Sequence, residues 1–124
     1  MDCPKCKRPM EQVTFEGIEV DRCTGCRGLF FDLMEAERLR GKHGSESIDV
    51  GDPRVGSQQN ANDHIRCPRD TSPMVRIVDP DQPHLYLETC SVCYGTFFDA
   101  GEFTDWKQDS LGDVFRRWFA RPRA

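Results

Sequence analysis

Cys3-Pro-Lys-Cys6 and Cys23-Thr-Gly-Cys26 constrain this chain more than any other feature. A C-x2-C pair sets two sulfurs on one tight turn. Two such turns face to face supply four corners of a tetrahedron, the geometry zinc takes in structural sites. Sixteen residues separate the pairs, enough for a hairpin that folds the second turn back onto the first. The N-terminal end is therefore expected to fold around an ion.

The same unit is written twice. Cys3-Pro-Lys-Cys6-Lys-Arg-Pro-Met10 aligns without a gap on Cys67-Pro-Arg-Asp70-Thr-Ser-Pro-Met74, keeping Cys, Pro, Pro and Met. Cys23-Thr-Gly-Cys26-Arg-Gly-Leu-Phe-Phe-Asp32-Leu-Met-Glu35 aligns on Cys90-Ser-Val-Cys93-Tyr-Gly-Thr-Phe-Phe-Asp99-Ala-Gly-Glu102, keeping both cysteines, Gly, Phe-Phe, Asp and Glu. An internal repeat decides the architecture before any local reading. It divides the chain into module one at 1–40, a flexible linker at 41–63, module two at 64–106 and a C-terminal tail at 107–124.

In module one, Gln12 to Phe15 and Ile18 to Asp21 flank Glu16-Gly17, a hairpin pattern. In module two the strands are expected over Met74 to Val78 and His84 to Glu88, with Pro80 and Pro83 at the tip because proline cannot donate to a ladder. Asp32 with Glu35, and Asp99 with Glu102, have the spacing of an N-cap residue and its third-position acid, so a helix is expected to begin at each aspartate. The first runs Leu33 to Arg40 and stops at Gly41, a residue suited to a left-handed helix end. Gly, Ser, Asn, Gln and Asp dominate the linker. In the tail, Leu111, Val114, Phe115, Trp118 and Phe119 recur at helical spacing, and Pro122 ends the pattern.

Hydrophobic residues make up 37% of the 124 residues and charged ones 31%, thin provision for a core, so metal is expected to staple the fold. Seven cysteines, an odd number, and the lack of a leader-like or membrane-spanning stretch point to a cytoplasmic protein with reduced thiols. A net charge of −4 disfavours a general nucleic-acid binder. Arg116, Arg117, Arg121 and Arg123 nevertheless give residues 111–124 a net +3, leaving −7 for the rest.

Cys3, Cys6, Cys23 and Cys26 are the expected ligands of a structural zinc, iron being the rival that the same paired turns accommodate. Cys67, Cys90 and Cys93 are expected to hold a second zinc, for which Asp70, His64 or a water are candidate fourth ligands. A water-bearing site would open the way to hydrolysis, since catalytic zinc keeps an exchangeable position. No other catalytic set accompanies it.

Each module resembles the transcription-factor-IIB-type zinc-finger family of bacterial proteins, whose pattern is CPxC, a hairpin, then CxxC-x-G, an aromatic or aliphatic pair, Asp, and Glu three further on. Cys3, Cys6, Cys23, Cys26, Gly28, Asp32 and Glu35 fill it in module one. Cys67, Cys90, Cys93, Gly95, Asp99 and Glu102 fill it in module two, with Asp70 as the departure. The resemblance implies a small metal-stabilised α+β fold of two tandem zinc ribbons, each a hairpin and a short capped helix; it covers about 1–40 and 64–106, and the amphipathic C-terminal helix expected from the spacing of the tail lies outside it. It implies a link to transcription by likeness to the ribbon of a factor that docks on RNA polymerase, an analogy of fold. The expected function is a non-enzymatic interaction module that meets a protein partner through Phe115, Arg116, Arg117, Trp118 and Phe119, with no membrane or small-molecule partner. The alternatives are nucleic-acid binding through the tail arginines and a thiol switch that releases zinc on oxidation.

Overall fold

The computed structural model describes residues 1–59, 64–79 and 82–107. Each module opens with the expected hairpin: β1 (Met10–Phe15) with β2 (Ile18–Cys23), and β4 (Met74–Asp79) with β5 (Gln82–Cys90). Glu16 and Gly17 carry φ of 48° and 82°, the paired left-handed conformations of a two-residue hairpin turn. The second hairpin is longer than expected, because β5 starts at Gln82 and includes Pro83. Its neighbour on the inner side, β6 (Thr96–Phe98), pairs with β5 only at Glu88 and Thr89, so the ladder asks nothing of Pro83 on that side.

Two further strands, which the sequence reading did not expect, join the modules. Phe-Phe is extended in both repeats, as β3 (Leu29–Phe31) and β6, and these pair antiparallel with Leu29 opposite Phe98, Phe30 opposite Phe97 and Phe31 opposite Thr96. The register is its own mirror under exchange of the modules, so the two halves are related by a local twofold at Phe30 and Phe97. Among the described residues the strands form one sheet in the order β1-β2-β3-β6-β5-β4.

Because side chains alternate across a strand, the joint sends its aromatics to opposite faces. On one face Phe31, Phe98, Phe103 and Trp106 stack at centroid distances of 5.2 to 6.1 Å, with Leu29, Leu39, Ile48 and Leu87 around them. On the other, Phe30 and Phe97 lie among Cys3, Cys23, Cys26, Cys67 and Cys90. Each buried ring is worth roughly 1.5–3 kcal/mol, so the joint is a principal source of stability.

The helices begin later than expected. α1 spans Glu35–Arg40, and residues 102–107 are helical. Glu35 Oε1 does accept the Asp32 N–H at 2.7 Å, half of the anticipated capping exchange. The aspartate side chains are engaged elsewhere, and the chain instead enters each helix through a left-handed residue, Met34 (φ 69°) and Gly101 (φ 87°). Gly41 ends α1 with φ −80°, and the left-handed glycine comes three residues later, at Gly44.

The stretch 41–63, expected as a flexible linker, carries structure of its own: a 3-10 turn over Ser45–Ile48 and α2 over Pro53–Gln59. Its polar residues act as local caps, which composition alone does not distinguish from a solvated tether. Asp49 accepts from the Gly101 and Thr104 N–H groups at 2.9 and 3.0 Å and from Thr104 Oγ1 at 2.9 Å, tying the segment to module two. Among the described residues no helix is long and apolar enough to cross a membrane. The amphipathic tail pattern, with Phe115, Arg116, Arg117, Trp118 and Phe119, lies outside the described residues.

Candidate metal centres

Four turns of one design build the two clusters. In the first, the Cys3 N–H donates to the Arg8 carbonyl at 2.8 Å and the Lys7 N–H to the Cys3 carbonyl at 3.0 Å. In its counterpart, Cys67 donates to Ser72 at 2.8 Å and Thr71 to Cys67 at 2.9 Å. The residue after the turn is left-handed each time: Lys7, Arg27, Thr71 and Tyr94, with φ between 61° and 67°. That conformation frees amides to point at the ligand atoms. Gly25 N–H donates to Cys23 Sγ at 3.2 Å, and Gly95 N–H to Cys93 Sγ at 3.4 Å.

Cys3, Cys6, Cys23 and Cys26 bring their sulfurs within 4.8 Å of one another. Cys3 to Cys26 is 3.7 Å and Cys6 to Cys23 is 3.2 Å, against about 3.8 Å for the edge of a tetrahedron with zinc–sulfur bonds of about 2.3 Å. The donor set therefore fits the ion. Burial pushes the Cys6 thiol up, but the Arg8 amide and the neighbouring thiols outweigh it and bring it to about 7, making it a ready thiolate. The Cys26 contact and burial raise Cys3 strongly, so an ion must displace that proton.

The second cluster is Cys67, Asp70, Cys90 and Cys93, again within 4.8 Å. Cys67 and Cys93 sulfurs are 3.7 Å apart, and Asp70 Oδ2 is 3.4 Å from Cys90 Sγ. Asp70 takes the place of Cys6 in its backbone contacts as well: its Oδ1 accepts the Ser72 N–H at 2.9 Å, the position of the amide-to-sulfur bond in the other turns. That bond holds the carboxyl below its ordinary range, so it is an anion. Burial pushes the Cys67 thiol up to about 12. His64 is exposed and stands outside the cluster.

Sequence reasoning missed the groups that lock one centre to the other. Lys5, inside the first turn, reaches across the joint to Glu88 Oε1 and Asp99 Oδ2, both at 2.7 Å, and to the Gln59 carbonyl at 3.0 Å. Arg69, its repeat equivalent, reaches back to Asp32 and to Asp21 Oδ2 at 2.9 Å. Each cation also lies 5.8 Å from the ring of a joint phenylalanine, Phe97 for Lys5 and Phe30 for Arg69. The signal was present in the repeat: a basic residue at 5 and 69, an acidic one at 21 and 88 and at 32 and 99. The two glycines after the second turns complete the exchange, since a Cβ on Gly28 would fall into the Phe97 ring and one on Gly95 into the Phe30 ring. Each ring thus packs beneath the other module's metal site.

A family model described as transcription factor zinc-finger matches residues 2–40. Comparison with curated proteins and with solved structures gave no match. With its cysteine geometry, the N-terminal part at residues 2–40 is a zinc ribbon of the transcription-factor-IIB type, and Cys67, Asp70, Cys90 and Cys93 form a second cluster of the same layout.

Proposed function

We propose that the chain is a non-enzymatic scaffold held by two zinc ions, with Cys67, Asp70, Cys90 and Cys93 as ligands of the second, and that it serves contacts with another protein. The observation that carries this reading is the completeness of both donor sets: four protein atoms in reach of one another leave a tetrahedral ion no position for water or substrate. The ions then supply folding free energy and no chemistry. A groove of about 280 Å³ is lined by Phe31, Leu33, Met34, Ile77, Tyr94 and Thr96 among others, and contains no ligand residue. The exposure of Leu33, Met34, Ile77 and Tyr94, 44 to 60%, supports a binding surface.

Elemental analysis of metal per chain tests the scaffold. Two zincs are expected in the native protein and one in Asp70→Ala; one in both would remove the second site. Binding to purified RNA polymerase tests the link to transcription. Saturable binding at micromolar protein is expected, weakened at least tenfold by Trp118→Ala, since tryptophan is prominent among interface anchors. Absence of binding would remove that link, and binding to DNA that falls steeply with salt would favour the tail arginines on phosphates.

A further inference from the structure

The two centres repeat each other in layout and differ in how they are closed. At the first, the Arg8 side chain lies over the second turn so closely that a Cβ on Gly25 would fall onto its Cδ, and Lys7 Nζ is folded back onto the Pro4 carbonyl at 3.0 Å. The repeat replaces Lys7, Arg8 and Gly25 by Thr71, Ser72 and Val92. The two short hydroxyl side chains give no such cover, and Val92 is 63% exposed. Two donors of the second cluster, Asp70 and Cys93, reach the surface, against Cys6 alone in the first. Asp70 is also the weakest partner for the ion, since thiolate suits zinc where carboxylate suits harder cations.

The module that carries the weaker donor has a second hold. Asp49 accepts from the Gly101 and Thr104 N–H groups, Gly56 lies against the Ala100 backbone and Pro53 against Gly101, so module two is fastened by packing as well as by its ion. In module one the equivalent turn, Leu33-Met34, is more than half exposed, and among the described residues no segment crosses it. Module one therefore relies on its ion for what module two also receives from residues 49–56.

We infer that the second centre is the exchangeable one of the pair, passing zinc to and from thiol-bearing acceptors through the Asp70 corner while the first keeps its ion. This rests on the reading of Cys67, Asp70, Cys90 and Cys93 as zinc ligands. An incoming thiol releases its proton to solvent, its sulfur bonds to zinc as the bond from zinc to the Asp70 oxygen breaks, and the carboxylate stays an anion held by the Ser72 N–H. One anionic donor replaces another, so charge is conserved and nothing is oxidised or reduced.

Release of zinc from the full native chain into a chromophoric chelator tests the assignment. Two phases of one zinc each are expected, the fast one accelerated by glutathione and not by S-methylglutathione, which lacks the thiol. In the one-zinc species iodoacetamide should label Cys67, Cys90 and Cys93 and spare Cys3, Cys6, Cys23 and Cys26. Asp70→Cys, which restores the repeat, should slow the fast phase by about tenfold, the scale on which changes around a metal alter its retention. Labelling of the first four cysteines, release of both ions at one rate, equal acceleration by the two glutathiones, or a fast phase indifferent to Asp70→Cys would overturn the inference and leave the two-zinc reading standing. One zinc per native chain would remove that reading and this inference with it.

Discussion

Lys5 and Arg69 occupy equivalent positions and bind equivalent acids, yet their environments differ. The Lys5 pairs are fully buried, whereas the Arg69 and Asp32 side chains are 39 and 43% exposed and only the second Arg69 partner, Asp21, is largely buried, at 11% exposure. Removing one partner of a buried pair strands the other charge, at a cost of about 3–5 kcal/mol, while an exposed pair is worth about 0.2–1 kcal/mol. Lys5→Met is therefore expected to destabilise the protein several-fold more than Arg69→Met in urea unfolding with zinc in excess. Glu102 shows the same burial from the acid side. Desolvation, helped by its hydrogen bond to Asp99 and the nearby Glu88, pushes its carboxyl up to about 10. The unfolded chain releases that proton near 4.5, so between these values the folded state holds one proton more and loses stability as pH rises. Glu102→Gln keeps a donor for Asp99 and removes the titration. At pH 8 it should be more stable than the native protein by about 1–3 kcal/mol, and its stability should fall less between pH 6 and 9. Equal slopes in the two proteins would refute this origin.

At the scale of elements, the hairpins and the metal turns were legible because their chemistry is local: cysteine spacing, the Glu16-Gly17 turn and alternating strand residues each act over a few positions. The helix starts were misplaced for a reason that is not local. Asp32 and Asp99 have capping spacing, but cations from the opposite module claim them, and sequence spacing says nothing about a competitor far along the chain. β3 and β6 were hidden likewise, since a three-residue strand has no pattern until its partner is known. The linker's two short helices were concealed by a composition shared with disordered tethers. The first hairpin offers a direct test of local reasoning. Glu16 holds φ 48° at a turn position that favours asparagine. Glu16→Asn should stabilise the protein by about 0.5–1 kcal/mol, measured by the midpoint of thermal unfolding; a lower midpoint would place the weight on the long 3.9 Å contact between Glu16 and Lys42.

At the scale of the molecule, the two ribbons share one sheet, two aromatic layers and crossed ion pairs, so damage to the joint should be felt at both centres. Gly95→Ala forces the Phe30 ring from its seat between the modules. Competition with a chelator should show zinc leaving the first cluster at least tenfold more readily in this variant, although no ligand of that cluster is altered. Unchanged retention there would mean that the modules hold their ions independently. The self-matching register at Phe30 and Phe97 has a further consequence. Two separate copies of one module would meet through this surface only as concentration allowed, whereas a tether makes the encounter intramolecular and always available. Each half then faces a single, fixed counterpart and no longer has to match itself. That freedom accommodates Asp70 opposite Cys6 and Leu33-Met34 opposite Ala100-Gly101, differences that a symmetric pair would have to carry twice.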